Sequence, residues 1–302
     1  MSAGKRLREL IERQTVVLPG AFNALTALQI QRAGFEAAYV SGAGVAASRG
    51  LPDIGLVSMT EAVSDSAIIA NAVTLPMLAD ADTGYGELLA VMRTVREFEH
   101  AGLAGIHIED QESPKRCGHL PGKRLLSSTA MARKIGAAVE ARQDADFLIV
   151  ARSDARAIEG LDATVMRALA YIEAGADAVF PEALESAEEF GAFATALSPH
   201  GGNVPLVANM TEFGKTPYLT VKEFAALGYR IVLFPLTALR VTLHAVEMLL
   251  NELKCRGTQR GELSQMQTRE QLYELLRYAD YEQRDEDLYE RYGRESEGPV
   301  TN

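Results

Sequence analysis

Tryptophan is absent from the 302 residues, and cysteine occurs only twice, at Cys117 and Cys255. Two thiols do not make a disulfide framework, so the chain reads as one that works in a reducing cytoplasm. Positive charge is outweighed: 30 Lys and Arg stand against 41 Asp and Glu, a net charge of −11. That balance argues against a nucleic-acid partner or an anionic membrane surface. No apolar run approaches the roughly 18 residues a membrane span needs. The start, Met1–Gln14, is charged and helical in pattern and lacks a secretory apolar core. No glycine-rich dinucleotide fingerprint opens the first helix. What is plentiful is apolar residue, at 47% ample for a large core.

Short apolar runs alternate with longer helical patterns. Candidate strands are Val16–Pro19, Ala37–Ser41, Pro76–Ala79, Ala104–Glu109, Phe147–Arg152, Ala178–Pro181, Pro205–Ala208 and Ile231–Phe234. Between them lie helical patterns such as Leu88–Ala101, Thr129–Arg142, Leu161–Ala174 and Leu184–Leu197. Ala-Gly pairs at Ala33-Gly34, Ala101-Gly102 and Ala174-Gly175 read as helix C-caps. Continuous apolar strands separated by helices indicate a parallel sheet buried on both faces. Polar or ionisable residues follow nearly every strand, which favours an α/β fold of the (β/α)8 TIM-barrel type over an open sheet with one switch point. The whole chain, 1–302, is expected to be one barrel domain. A long helix near Ala238–Arg256 follows the last strand, and a charged helical extension occupies about 257–292. The residues from 295 to 302 are expected to be disordered.

The segment Lys115-Arg116-Cys117-Gly118-His119, bracketed by Pro114 and Pro121, places a thiol among cations just beyond the fourth strand. Positive neighbours stabilise a thiolate and are expected to lower the pKa of Cys117 moderately. Asp80 and Asp82 end the third strand two positions apart, so both carboxylates are expected to face the barrel mouth. Glu109 closes the next strand, with His107 on the same face as a hydrogen-bonding residue. Converging hard oxygens suit Mg²⁺, with Mn²⁺ as a substitute; an N-cap aspartate with a structural salt bridge is the competing reading. Arg152 and Glu182, at the ends of the fifth and sixth strands, could be a simple ion pair, but an arginine at a barrel mouth is well suited to grip a substrate carboxylate. Asn209, Met210 and Thr211 follow the seventh strand, and Arg240 lies beyond the eighth. Asp53 reads equally well as a turn residue, and Cys255 as a packed bystander. Together these residues fit cleavage of a C–C bond in a hydroxy-polycarboxylate.

These residues resemble the isocitrate lyase / phosphoenolpyruvate mutase superfamily from about Pro19 to Tyr292. The matching pieces are Tyr39-Val40-Ser41-Gly42, Gly50-Leu51-Pro52-Asp53, Asp80-Ala81-Asp82, His107–Gln111 and Lys115–His119, then Ala151–Asp154, Phe180–Ala183, Asn209–Gly214 and Met266–Arg269. Asp-Ala-Asp marks the superfamily broadly, whereas the Lys-Arg-Cys-Gly-His loop marks lyases that protonate a succinate carbanion. The resemblance implies a homotetramer, a dimer of dimers in which the last barrel helix is swapped between subunits. It implies Asp80 and Asp82 at Mg²⁺, with Asp53 and Glu109 in the outer shell. It also implies a small tricarboxylate substrate held by Ser41, Gly42, Ala43, Cys117, Gly118, Arg152, Glu182, Asn209, Met210, Thr211, Arg240 and Arg269. The implied catalytic groups are Cys117 as acid and Tyr39 as candidate base, with Arg152, Glu109, His119 and Lys115 beside them. The implied reaction is cleavage of 2-methylisocitrate to pyruvate and succinate, in the methylcitrate cycle of propionate breakdown. Cleavage of isocitrate to glyoxylate and succinate, or another 2-oxoacid lyase or decarboxylase reaction, is the alternative. Phe180, Leu233 and Pro235 are implied to accommodate the extra methyl. Ala43 replaces a glycine common in such lyases and would be strained by a positive φ. Leu120 and Gly122 depart from the usual loop beyond His119, and the loop is expected to be mobile without ligand.

Overall fold

The computed structural model describes residues 1–120, 122–201 and 204–293. Pro121 and the expected disorder of 295–302 lie outside the described residues. The chain groups into two compact units, Met1–His244 and Ala245–Asn302. The first is built on eight parallel strands: β1 (Val16–Ala21), β2 (Ala38–Val40), β3 (Met77–Asp80), β4 (Gly105–Glu109), β5 (Leu148–Ser153), β6 (Ala178–Pro181), β7 (Val207–Asn209) and β8 (Ile231–Phe234). Their hydrogen-bonded order runs β6-β5-β4-β3-β2-β1-β8-β7. A parallel bridge between Val179 and Leu206 joins the two ends, which closes the ring into a (β/α)8 barrel.

The strands are short, apolar and buried on both faces, as parallel strands under a ring of helices must be. Leu18, Leu78, Leu148, Val150 and Ile231 fill the barrel interior, while Val91, Val95, Phe98, Ile106, Met131 and Ile135 pack strand against helix. The helices Ala24–Arg32, Leu88–His100 and Leu161–Glu173 end at Gly34, Gly102 and Gly175, with φ of 86°, 90° and 100°. Only glycine takes that conformation cheaply, so the Ala-Gly signal in the sequence was a true stop signal. Gly20 of β1 serves a different need: a Cβ there would sit 2.0 Å from the Pro235 carbonyl.

The long helix Thr237–Arg256 follows β8, and the boundary between the two units falls within it. Beyond it, a 3-10 turn at Arg260–Gln265 leads to helices Arg269–Leu275 and Tyr278–Tyr292. The sequence pattern reads as one charged helical stretch here. The chain instead breaks at Arg277, whose φ is 55°. No helix among the described residues is long and apolar enough to cross a membrane.

Phe98 is fully buried between helix and sheet. Phe98→Ala is expected to cost about 3–5 kcal/mol through lost burial and the cavity left behind. Chemical denaturation checks this, with the midpoint falling and the slope unchanged.

Candidate active site

Chemistry-bearing side chains collect at the C-terminal ends of the strands, where the loops are free to vary over a rigid barrel. The β4–β5 register sets Glu109 beside Arg152, and the β5–β6 register sets Arg152 beside Phe180. The guanidinium lies 5.3 Å from the Phe180 ring centroid. Three carboxylates surround it. Asp154 accepts from Nε at 3.0 Å and from Nη2 at 3.2 Å, Glu109 Oε2 lies 3.3 Å from Nη1, and Glu182 Oε2 lies 3.4 Å from Nη2. Burial would raise the Glu182 carboxyl, but Arg152 and His119 outweigh it and hold the pKa well down. Asn209 donates its amide to both Glu182 oxygens at 3.2 Å, leaving its own Oδ1 buried without a partner.

The acidic group at β3 is built differently from the expected strand alternation. The strand stops at Asp80, and Asp82 lies in the turn beyond with φ 47°. The turn, not the two-residue period of a strand, aims the second carboxylate. Asp80 Oδ1 accepts the Asp82 N–H at 2.9 Å, and the Asp82 carbonyl accepts from the Glu109 N–H at 2.9 Å. Lys115 Nζ lies 2.5 Å from Asp53 Oδ1 and 2.7 Å from Asp82 Oδ1, which brings the second-strand loop into the site. Burial raises both carboxyls in principle. For Asp80 the neighbouring His107, Lys115 and Arg152 win and bring its pKa to about 2, whereas Asp82 stays at about 6. Two nearby acids with separated pKa values are a common mark of a working site.

The donor set fits a hard divalent cation. A cavity of about 20 Å³, room for one water-sized particle, is bounded by Gly42, Asp53, Asp80 and Asp82. Gly42 keeps this approach open, since a Cβ there would lie 2.6 Å from Asp80 Oδ2. Both Glu109 oxygens are buried without a hydrogen bond, and burial raises its pKa well above the ordinary value. Among the described residues no three His, Cys, Asp or Glu side chains form a closed cage. An ion bound by one or two carboxylates, waters and substrate oxygens needs none. A second cavity, of about 420 Å³, opens between Ile11, Leu197, Leu206 and Arg230 at the opposite end of the barrel, away from these acids.

His107 is neutral, because burial lowers its pKa to about 4. Its Nε2 lies 2.7 Å from the Tyr39 hydroxyl, and the two rings stack at an interplanar angle of 17°. Burial, and then the Asp80 charge, raise the Tyr39 pKa well above 10, so Tyr39 stands as a phenol. Ser41 caps the helix Gly42–Ser48 by accepting from the Gly44 N–H at 3.2 Å. Ala43 sits within that helix and is not among the residues of positive φ, so the strain expected from replacing glycine does not arise.

The loop carrying Cys117 lies directly on Arg152 and Glu182. A Cβ on Gly118 would meet Glu182 Cγ at 2.4 Å and Arg152 Nη2 at 2.7 Å, so only glycine fits. His119 Nδ1 accepts from the Lys215 N–H at 3.1 Å, which leaves the proton on Nε2, 3.0 Å from Glu182 Oε1. Gly214 is needed beside that ring, since a Cβ would approach Nδ1 to 2.7 Å. The expected acidification of Cys117 is corrected here: its pKa is raised. Burial dominates, Glu182 adds to it, and the His119 N–H and Arg152 only partly oppose it. The Lys115 charge is committed to Asp53 and Asp82 instead.

The remaining expected residues divide. Thr211 is buried near the mouth, and Arg240 Nε lies 3.5 Å from Glu212 with its guanidinium 5.3 Å from the Phe213 ring centroid. The Met210 side chain packs in the outer apolar cluster, where its sulfur accepts the Leu219 N–H, leaving only its backbone for the site. Arg269 opens a helix of the second unit, and its part in the site rests on the resemblance. Sequence reasoning missed Lys123, which is buried and bonded to the Gly118 carbonyl and to Asp154. A lone lysine in a polar loop carries no signal that would have found it. Cys255 is exposed rather than packed.

Comparison with known proteins places this geometry. The sequence pattern of the phosphoenolpyruvate phosphomutase family matches residues 7–254. The 2-methylisocitrate lyase of Aeropyrum pernix is 52% identical over 94% of this chain and 91% of its own. The crystal structure of 2,3-dimethylmalate lyase, a PEP mutase/isocitrate lyase superfamily member, superposes with a TM-score of 0.88 at 34% identity, covering 100% of this chain and 99% of that one. Phosphonopyruvate hydrolase in complex with oxalate and Mg²⁺ matches at 0.85 and 30%, covering 97% and 100%. With this barrel, these acids and this coverage, the chain belongs to the PEP mutase/isocitrate lyase superfamily.

Proposed function

We propose that this protein is a divalent-metal-dependent carbon–carbon lyase that cleaves 2-methylisocitrate to pyruvate and succinate, in the cytoplasm. The observation that carries the reading is the seat of the Cys117 loop on Arg152 and Glu182, in a chain half identical to a 2-methylisocitrate lyase. A thiol is thereby held over a cation suited to carboxylates, across the mouth from the Asp80–Asp82 acids.

In this reading Ser41 and the backbone N–H groups of Gly42 and Ala43 hold one substrate carboxylate, while Arg152, Asn209, Thr211 and Arg240 hold the others. Asp80 and Asp82, with Asp53 and Glu109 around them, hold Mg²⁺ or Mn²⁺. The ion, when bound, supplies Lewis-acid polarisation of oxygens on the half that becomes pyruvate. Tyr39, whose hydroxyl lies 2.7 Å from His107 Nε2, is the candidate base for the C2 hydroxyl proton. The succinate carbanion left by C2–C3 cleavage takes a proton from the Cys117 thiol. The raised pKa suits that step, because it keeps the proton on sulfur at neutral pH. Phe180, Leu233 and Pro235 accommodate the methyl group, and one methyl is worth only about 1–3 kcal/mol of discrimination against isocitrate.

A homotetramer is part of the proposal. Along the helix Thr237–Arg256, Val241, Leu243, Val246, Met248 and Leu250 are exposed and only Leu239 is buried. Apolar side chains exposed on opposite sides of one helix favour a protein partner around it, and a swapped helix of a second copy fits the symmetry of homo-oligomers. Sedimentation of the 32.7 kDa chain checks this: four copies are expected, and a monomer contradicts it.

Purified protein is expected to form pyruvate and succinate from 2-methylisocitrate, to stop with a chelator and to recover with Mg²⁺. Glyoxylate from isocitrate as the main product would move the assignment to isocitrate cleavage, and no cleavage of either substrate would discard it. Cys117→Ser is expected to lower kcat by about 10²–10⁴, the range for a lost general acid. For the wild type, the acid form is lost only as pH rises through the raised thiol pKa, so kcat is expected to hold through neutrality and to fall only at alkaline pH, above the range in which an ordinary thiol ionises. A pH profile in which that alkaline limb survives unchanged in Cys117→Ser would contradict the acid role.

A further inference from the structure

The far limb of the Cys117 loop ends in a charged tie that the proposed reaction does not use. Lys123 is 8% exposed, and burying an ammonium is costly unless it is well paired. Its Nζ donates to the Gly118 carbonyl and, at 3.0 Å, to Asp154 Oδ1. That same oxygen accepts from Arg152 Nη2 at 3.2 Å, and the other Asp154 oxygen accepts from Arg152 Nε at 3.0 Å. One fully buried carboxylate is thus shared between the loop's lysine and the arginine of the mouth.

Asp154 is itself fixed. Its N–H donates to Asp110 Oδ1 at 2.9 Å, and Asp110 Oδ2 accepts from Ser153 at 2.7 Å, from Tyr171 at 2.8 Å and from Arg167 at 3.3 Å. The near limb of the loop is held by Lys115, paired with Asp53 and Asp82, and by Gln111. Gln111 pairs with both the N–H and the carbonyl of Arg116, at 2.9 and 2.8 Å. Beyond it, His119 meets Glu182 and the Lys215 N–H, and Lys123 holds the peptide pressed against Glu182 and Arg152 at Gly118.

We propose that Lys123 is a positioning residue of this site, whose ammonium ties the Cys117–Gly118 peptide to Arg152 through the shared Asp154 carboxylate. The consequence for the reaction rests on the lyase reading above. Lys123 sets the place of the thiol and the orientation of the guanidinium together, so losing it disturbs both proton delivery and carboxylate binding. Misplacement of about 1 Å at a reacting group can cost on the order of 100-fold.

The test compares Lys123→Met with Lys123→Arg in the full-length protein. The readouts are kcat and KM for 2-methylisocitrate, and the rate at which an arginine-specific protease releases the 1–116 fragment from ligand-free protein. Arg116 is exposed, so cutting after it reports how firmly the following peptide is held. K123M is expected to lose about tenfold or more in kcat, to raise KM and to be cut faster, at an unchanged thermal midpoint; K123R is expected to recover most of the loss. Wild-type kinetics and cutting in K123M would overturn the proposal, as would an equal loss in K123R, which would mark packing rather than charge. If the wild type cleaves no 2-methylisocitrate, the lyase reading fails and the cutting rates alone decide the role of Lys123. If K123M does not fold, Lys123→Gln, which keeps a donor without the charge, is read by the same criteria.

Discussion

A guanidinium out of water must be surrounded by anions, and Arg152 shows how much structure that demand organises. Glu109, Asp154 and Glu182 lie at or just beyond the ends of three adjacent strands, and each is within 3.4 Å of it. Asp154 and Glu182 take further partners of their own, whereas both Glu109 oxygens make no hydrogen bond. Glu182 takes Asn209 from β7 and His119 from the loop, while Asp154 takes Lys123. Buried polar networks of this kind are costly when incomplete and rigid when complete. The arginine therefore ties β4, β5, β6 and β7 to the loop that carries the thiol.

A second cation divides the remaining acids. Lys115 spans Asp53 and Asp82 and leaves Asp80 to His107 and the Asp82 N–H. The result is a mouth with two electrostatic halves. One half gathers acids around a small cavity at β3, where a hard cation fits. The other presents Arg152, Asn209 and a protonated thiol, where carboxylates and a carbanion fit. Cleaving one polycarboxylate into a 2-oxo acid and a dicarboxylate needs both halves at once.

Much of this was legible in the sequence, for definite reasons. Parallel strands buried on both faces leave continuous apolar runs, so Ala178–Pro181 and Ile231–Phe234 match residue for residue. The seventh strand starts later than the pattern implies, at Val207, because Pro205 has no N–H and contributes only its carbonyl, to Val179. What could not be read is what depends on three-dimensional neighbours. The left-handed residues Asp82, Tyr85, Ala183 and Phe213 lie in the loops after β3, β6 and β7, and no residue type announces them. The Cys117 pKa moved opposite to the charge pattern, because burial and Glu182 outweigh cations that are engaged elsewhere. Lys123 looked like any loop lysine until its distance to Asp154 was known.

In the proposed reaction the acids at β3 hold the cation while Arg152 grips the substrate across the mouth. A crystal structure with Mn²⁺ in place of Mg²⁺ and with pyruvate bound tests it most directly, since anomalous scattering locates the ion without ambiguity. The ion is expected against the Asp80 and Asp82 carboxylates, with pyruvate between it, the Ser41–Ala43 segment and the Arg152 side. An ion lying away from both aspartates, or pyruvate bound out of reach of Arg152, would contradict it.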